Sequence, residues 1–227
     1  MSANPDFIYQ PPMTPYLDII YYDDDIVVLN KSSGLLTVPG RLPEHQDCLH
    51  NRVKNVLPSA TVVHRLDMAT SGILLMALNK AAHVNISRQF EQRLTKKAYI
   101  ARVYGDIEQD YGTIELPLIC DWPNRPKQKV DHEHGKPSTT LYRVLSRDII
   151  NDDSKSTLVE LTPITGRSHQ LRVHMLALGH PILGDRLYAH HKALTISPRL
   201  QLHAKMLTIS HPVTSKEITF VCSSPFV

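Results

Sequence analysis

Cysteine is scarce in this chain, and the three present, Cys48, Cys120 and Cys222, are odd in number and far apart. That excludes a disulfide framework and any C-x-x-C metal or redox motif, and it suits the reducing cytoplasm. Long apolar runs are missing as well. The longest, from Ile73 to Leu78, falls far short of the ~18 residues of a membrane span, and no basic-then-apolar leader opens the chain. A soluble, unexported protein with no membrane partner is expected. No Gly-rich phosphate loop, H-E-x-x-H or G-x-S-x-G motif is present, and no second acid is paired with a first, so a metalloenzyme, a nucleotide-driven enzyme and a hydrolase all go unsupported. No repeat with a period of ~20 to 50 residues is visible.

What is there is enough for one substantial core: 227 residues with 42% hydrophobic content and nothing that reads as a linker. Residues 1–15, rich in proline and polar side chains, read as a surface tail, and residues 16–227 as a single domain. The net charge of +3 is unevenly spread. Met1 to Asn30 holds five acids (Asp6, Asp18, Asp23, Asp24, Asp25) and no Lys or Arg. Lys80 to Tyr104 holds six bases (Lys80, Arg88, Arg93, Lys96, Lys97, Arg102) against Glu91 alone. That basic stretch suits either phosphate neutralisation or a solvated helix face, and thirteen histidines add charge near neutral pH.

Periodicity predicts strands at Leu17 to Tyr22 and Ile26 to Asn30 around an acidic turn, and further strands at Gly72 to Leu78, Lys96 to Tyr104, Gly112 to Leu116, Thr139 to Leu145 and Thr157 to Leu161. Helical spacing of Leu49, Val53, Val56 and Leu57 predicts a short helix ended by Pro58. A second follows Asn79 as N-cap, with Ala82, Ile86 and Phe90 on one face. A third carries Leu171, Met175 and Leu178 on one stripe, with Gly179 at its C-terminus. The fold class is α+β, a large mixed, mainly antiparallel sheet flanked by helices and loops.

Three stretches carry the chemistry. Val63-His64-Arg65-Leu66-Asp67-Met68-Ala69-Thr70-Ser71-Gly72 sets an acid beside an arginine on a short segment between strand-like runs. By itself Asp67 reads as a turn former or as a carboxylate poised on a rigid edge. Asp121-Trp122-Pro123-Asn124-Arg125-Pro126-Lys127-Gln128-Lys129 holds the only tryptophan among prolines and bases, which suits stacking on looped RNA or a packed corner. Gly166-Arg167-Ser168-His169-Gln170-Leu171-Arg172-Val173-His174 places Arg167 at a loop-to-helix junction. Its two histidines are five apart with no intervening glutamate, so metal ligation is not expected.

Read whole, H-R-L-D-x-x-T-S-G and G-R-x-H-Q-L-R-x-H resemble the signatures of the RluA family of pseudouridine synthases, and the likeness runs from about Leu17 to Phe220. The resemblance implies the pseudouridine synthase fold and conversion of uridine to pseudouridine in RNA without metal or cofactor. It implies Asp67 as the catalytic aspartate, attacking the sugar carbon or removing its neighbour's proton, with Arg167 as its partner and Tyr99 stacked on the uracil. It implies Leu171 as an apolar wall, Arg65 as the side chain that fills the place of a flipped-out base, and RNA contacts for Trp122 and Arg125. Lys31-Ser32-Ser33-Gly34 resembles the family's N-K-P-S-G loop with Ser32 in place of proline, and Lys31 is expected to be an exposed structural lysine in preference to a phosphate contact. The S4 RNA-binding domain of many relatives has no counterpart here. The compact form points to hairpin loops of both large-subunit ribosomal RNA and transfer RNA, the anticodon stem-loop in the second, acted on by a monomer with no obligatory protein partner.

Overall fold

The computed structural model describes residues 8–150 and 154–227; residues 1–7 of the expected tail lie outside them. In chain order the first elements are β1 (Ile19–Tyr22), β2 (Ile26–Lys31), α1 (Leu49–Lys54), β3 (Thr61–Val62), β4 (Ser71–Ala77), α2 (Lys80–Glu91), β5 (Lys96–Tyr104) and β6 (Tyr111–Glu115). They are followed by β7 (Leu118–Cys120), β8 (Gln128–Val130), β9 (Thr139–Ile150), β10 (Ser154–Pro163), α3 (Gln170–Ala177), α4 (His191–Thr195), β11 (Leu202–Ser210) and β12 (Glu217–Val221). They form two compact units: a first of Ile8–Lys97 with His203–Val227, and a second of Ala98–Leu202.

In the first unit the strand order is β1-β2-β4-β11, with β3 on β4 and β12 on β11, all antiparallel except β4 with β11. The hairpin turn between β1 and β2 needs its acid. The Asp23 carboxylate accepts from the backbone N–H of Asp25 (2.8 Å) and Ile26 (2.9 Å), an Asx turn that closes the loop. Every residue of β4 is buried, which is why its sequence is a continuous apolar run rather than an alternation. Ile73 and Leu75 meet Ile26, Val28, Leu207, Ile209 and Phe220, and Ile86 of α2 closes that core. Asn79 caps α2 as its position predicts, Oδ1 accepting from Ala82 N–H at 2.9 Å. Gly72 has a positive φ of +110°, and a Cβ there would lie 2.4 Å from the Ala204 carbonyl oxygen, so only glycine lets β4 run this close beside β11.

From Ile8 onward the expected tail is fastened down. Arg52, 1% exposed, grips both Asp47 carboxylate oxygens at 2.7 Å and donates to the carbonyls of Pro12 (2.8 Å) and Tyr16 (3.1 Å). The Tyr9 hydroxyl donates to the Asp47 carbonyl (2.7 Å) and accepts from Leu36 N–H (3.0 Å).

The second unit is an antiparallel sheet in the order β5-β10-β9-β6, with β7 and β8 as a separate two-stranded ribbon. Helix α3 ends in a Schellman motif: Gly179 has φ +90°, its N–H donates to Leu176, and His180 N–H donates to Met175. Leu171 and Met175 are buried, as the stripe predicts, but Leu178 is 37% exposed. The helix stops at Ala177, so the cap residue turns away from the packed face. The basic stretch is not one stripe. Lys96 pairs with Glu217 (2.8 Å) and Arg102 with Asp148 (2.5 Å), so internal partners take two of its six bases.

Candidate active site

Asp67 sits, half-buried, on the loop between β3 and β4, and Arg65 beside it is exposed. The loop is rigid for reasons visible on either side of it. Lys31 is the first: it is fully buried, not the exposed lysine expected, and its ammonium donates to the carbonyls of Ser32 (2.9 Å), Leu35 (2.7 Å) and Met68 (3.0 Å). Three fixed acceptors compensate the desolvated charge. Gly34 N–H also donates to Met68 O (2.8 Å), and Ser33 Oγ to Ala69 O (2.7 Å). The K-S-S-G segment therefore serves the Asp67 loop and presents no lysine to a phosphate.

His64 holds the loop's entry. Its ring stacks on Phe90 with centroids 4.4 Å apart, and Nε2 accepts from Leu75 N–H at 3.0 Å. Burial, aided by the Lys97 charge, pushes its pKa down to about 3. The sign follows: above about pH 6.5 the imidazole is neutral folded or unfolded, and below it only the unfolded chain takes the proton. Stability should therefore fall as pH drops from about 6.5 toward 3, and His174, whose pKa burial also lowers, adds to the same slope. Melting curves across this window should show the decline. His64→Gln, less stable at pH 7.5, should flatten it, and an unchanged slope in that variant would remove His64 as its source.

In the second unit, Arg167 lies at the loop-to-helix junction as predicted. Gln170 fixes its backbone: Oε1 accepts from Arg167 N–H (3.0 Å) and from the Thr165 hydroxyl (2.7 Å), while Nε2 donates to Thr139 O and Thr140 Oγ1, both at 3.0 Å. All four bonding positions of this buried amide are used, a role the sequence pattern did not reveal. Tyr99 is half-buried on β5 opposite Leu161, and Leu171 is buried in α3. Trp122, 66% exposed, and Arg125 are brought together, the guanidinium lying 4.4 Å from the ring centroid.

Tyr188 was not anticipated, and it links several of these parts. Its hydroxyl accepts from Gln128 N–H of β8 (2.8 Å) and meets His169 Nδ1 (2.7 Å), and Arg172 lies over its ring at 5.0 Å. His174, the other histidine of the motif, bonds Thr140 Oγ1 (2.9 Å) and the Leu116 carbonyl (3.1 Å). Among the described residues Asp23, Asp25 and His211 come close enough to suggest a metal site. Their hydrogen bonds argue otherwise. His211 Nδ1 accepts from Val213 and Thr214 N–H, so Nε2 carries the proton and donates it to Asp23 at 3.0 Å.

Sheet, loop and motif geometry together define a class. The model of the RNA pseudouridylate synthase family matches residues 25–177, and the chain belongs to that family: it is an isomerase that converts uridine to pseudouridine in RNA. It is 56% identical over 218 residues to the dual-specificity RNA pseudouridine synthase RluA of Escherichia coli (strain K12), covering 96% of this chain and 98% of that one. To the protein of the same name from Yersinia pestis it is 58% identical over 208 residues, 92% of this chain and 99% of that. Among solved structures, human RNA Pseudouridylate Synthase Domain Containing 1 matches with a TM-score of 0.80 and 32% identity, over 96% of this chain and 87% of that one.

Proposed function

We propose that this enzyme acts on two classes of RNA, hairpin loops of large-subunit ribosomal RNA and transfer-RNA anticodon stem-loops, with Asp67 as its catalytic carboxylate. The observation that carries the substrate reading is the 56% identity, across 98% of the relative's length, to a synthase named for dual specificity. In the reaction the N1–C1′ bond breaks, uracil turns while held, C5 bonds to C1′, the proton on C5 leaves and N1 takes one up. Asp67 serves by attack on C1′ or by removing the 2′ proton. Arg167, its backbone set by Gln170, is assigned by the family resemblance as the basic partner of that carboxylate.

Tyr99 stacks on the uracil, and Leu171 is the apolar wall on its other side. Arg65 takes the place of the flipped-out uridine, offsetting the few kcal/mol of unstacking. The exposed Trp122–Arg125 pair offers a stacking face and a phosphate contact to the hairpin. The proposal extends to a cytoplasmic monomer with no obligatory protein partner.

Two short hairpins, one copied from each RNA class and carrying tritium at uracil C5, test it. Both should release tritium with the RNA chain left intact. Release from one alone would refute dual specificity while leaving the isomerase chemistry standing, and pseudouridine mapping in cells with and without the gene should lose sites in both classes.

A further inference from the structure

The loop that carries Asp67 has no ladder of its own, so its backbone groups must find partners elsewhere. Met68 O is held twice, by Gly34 N–H and by the Lys31 ammonium; Ala69 O is held by Ser33 Oγ, and Asp67 O accepts from Thr70 N–H at 3.1 Å. On the other side of Asp67 one group does all the work. The Thr37 hydroxyl donates to Leu66 O at 2.7 Å and accepts from Leu66 N–H at 3.3 Å, satisfying both backbone groups of the residue that immediately precedes the aspartate. Thr37 is itself anchored. Its carbonyl accepts from His50 N–H (3.1 Å), and the neighbouring Leu36 carbonyl accepts from Leu49 N–H (2.9 Å), tying the segment to the start of α1.

We propose that Thr37 is a positioning residue for the isomerisation, fixing the backbone ahead of Asp67 so that the carboxylate meets the sugar in reactive geometry. This rests on the reading of Asp67 as the catalytic group. Thr37 is singled out because Met68 has two donors and keeps one if the other is lost, whereas Leu66 has the Thr37 hydroxyl alone among the described residues. Both Thr37, 3% exposed, and Leu66 are buried, so water does not readily replace the hydroxyl. A carboxylate displaced by about 1 Å costs on the order of 100-fold in rate while ground-state binding of RNA, spread over many contacts, is little changed.

The test compares Thr37→Val, which keeps the shape and removes the hydroxyl, with Thr37→Ser, which keeps the hydroxyl. Both are assayed beside Asp67→Asn on a C5-tritiated hairpin, below the melting point of each variant. Thr37→Val should lose about 10- to 100-fold in kcat with KM within about twofold, and Thr37→Ser should recover most of kcat. A merely structural threonine would lower the melting temperature and leave kcat of the folded fraction intact. Wild-type kcat in Thr37→Val, or equal losses in Val and Ser, would overturn the proposal. If Thr37→Val does not fold, Thr37→Ala against Thr37→Ser decides: Ala slow and Ser fast supports it, equal rates overturn it. An inactive Asp67→Asn beside a fully active Thr37→Val sinks Thr37 alone, whereas an active Asp67→Asn sinks the reading of Asp67.

Discussion

Asp67→Asn should abolish pseudouridine formation, a loss on the order of 10⁴-fold or more in kcat, the scale on which enzymes respond to removal of an essential base or nucleophile. Asparagine matches aspartate in shape, so the change removes the charge and the basicity and little else. The fold should survive it. The bonds that hold this loop run from Lys31, Ser33, Gly34 and Thr37 to backbone groups of Leu66, Met68 and Ala69. RNA binding should stay within about threefold, because affinity for RNA comes mainly from phosphate contacts and stacking. Tritium release by protein purified from cells that lack the wild-type gene is the measurement. Turnover within about 100-fold of wild type would remove Asp67 from the chemistry.

How much of this was legible in the sequence depended on how local the cause was. The Asn79 cap, the Gly179 terminus and the acidic β1–β2 turn are settled within a few residues, and each formed where the pattern placed it. The apolar run of β4 was visible for the same reason. β11 and β12 were not read as strands: Leu202 to Ser210 mixes His, Ala and Lys, and it becomes a strand by pairing with β12 over Met206–Ser210 and, at His203 and Ala204, with β4, some 130 residues earlier in the chain. The short ribbon strands β7 and β8 were missed because three residues carry too little pattern to register.

The same division runs through the site. Asp67, Arg65, Tyr99 and Arg167 belong to local motifs and could be put forward as candidates from them. What holds them could not. Lys31 looked like a surface lysine because its nearest signal is a polar turn, and its burial follows from the Met68 carbonyl 37 residues away. Gln170 lies inside a recognisable motif, yet its bonds to Thr139 and Thr140 depend on β9, which no local pattern connects to it. Tyr188 and Asp185 are the clearest cases: the segment Gly179 to Asp185 resembles the family and reads as structural, but no periodicity or spacing marks either residue as a hub.

Asp185 is where the second large effect should appear. Its carboxylate forms a two-pronged pair with Arg172, Oδ2 to Nε at 2.8 Å and Oδ1 to Nη2 at 2.6 Å, with the side chains only 4% and 1% exposed for Arg172 and Asp185 respectively. Oδ1 also accepts from the backbone N–H of Leu187 (2.9 Å) and Tyr188 (3.3 Å), so the pair shapes the turn that presents the Tyr188 ring and hydroxyl. Asp185→Asn keeps the shape, removes the charge opposite a buried guanidinium and turns an acceptor into a donor facing another donor. Breaking one side of a buried pair costs about 3–5 kcal/mol, which for a chain of this size lowers the melting temperature by roughly 6–20 °C. Because Tyr188 accepts from Gln128 N–H of β8, the folded fraction should also bind hairpin RNA more weakly through a loosened Trp122–Arg125 ribbon, while the rate at saturating RNA changes less. The double change Arg172→Met with Asp185→Asn should cost less than the two singles added, since no unpaired charge is left in the interior. Thermal melts of the four proteins give the cycle. A melting temperature for Asp185→Asn within about 2 °C of wild type, or strict additivity in the double variant, would show that the pair does not hold α3 to the Tyr188 turn.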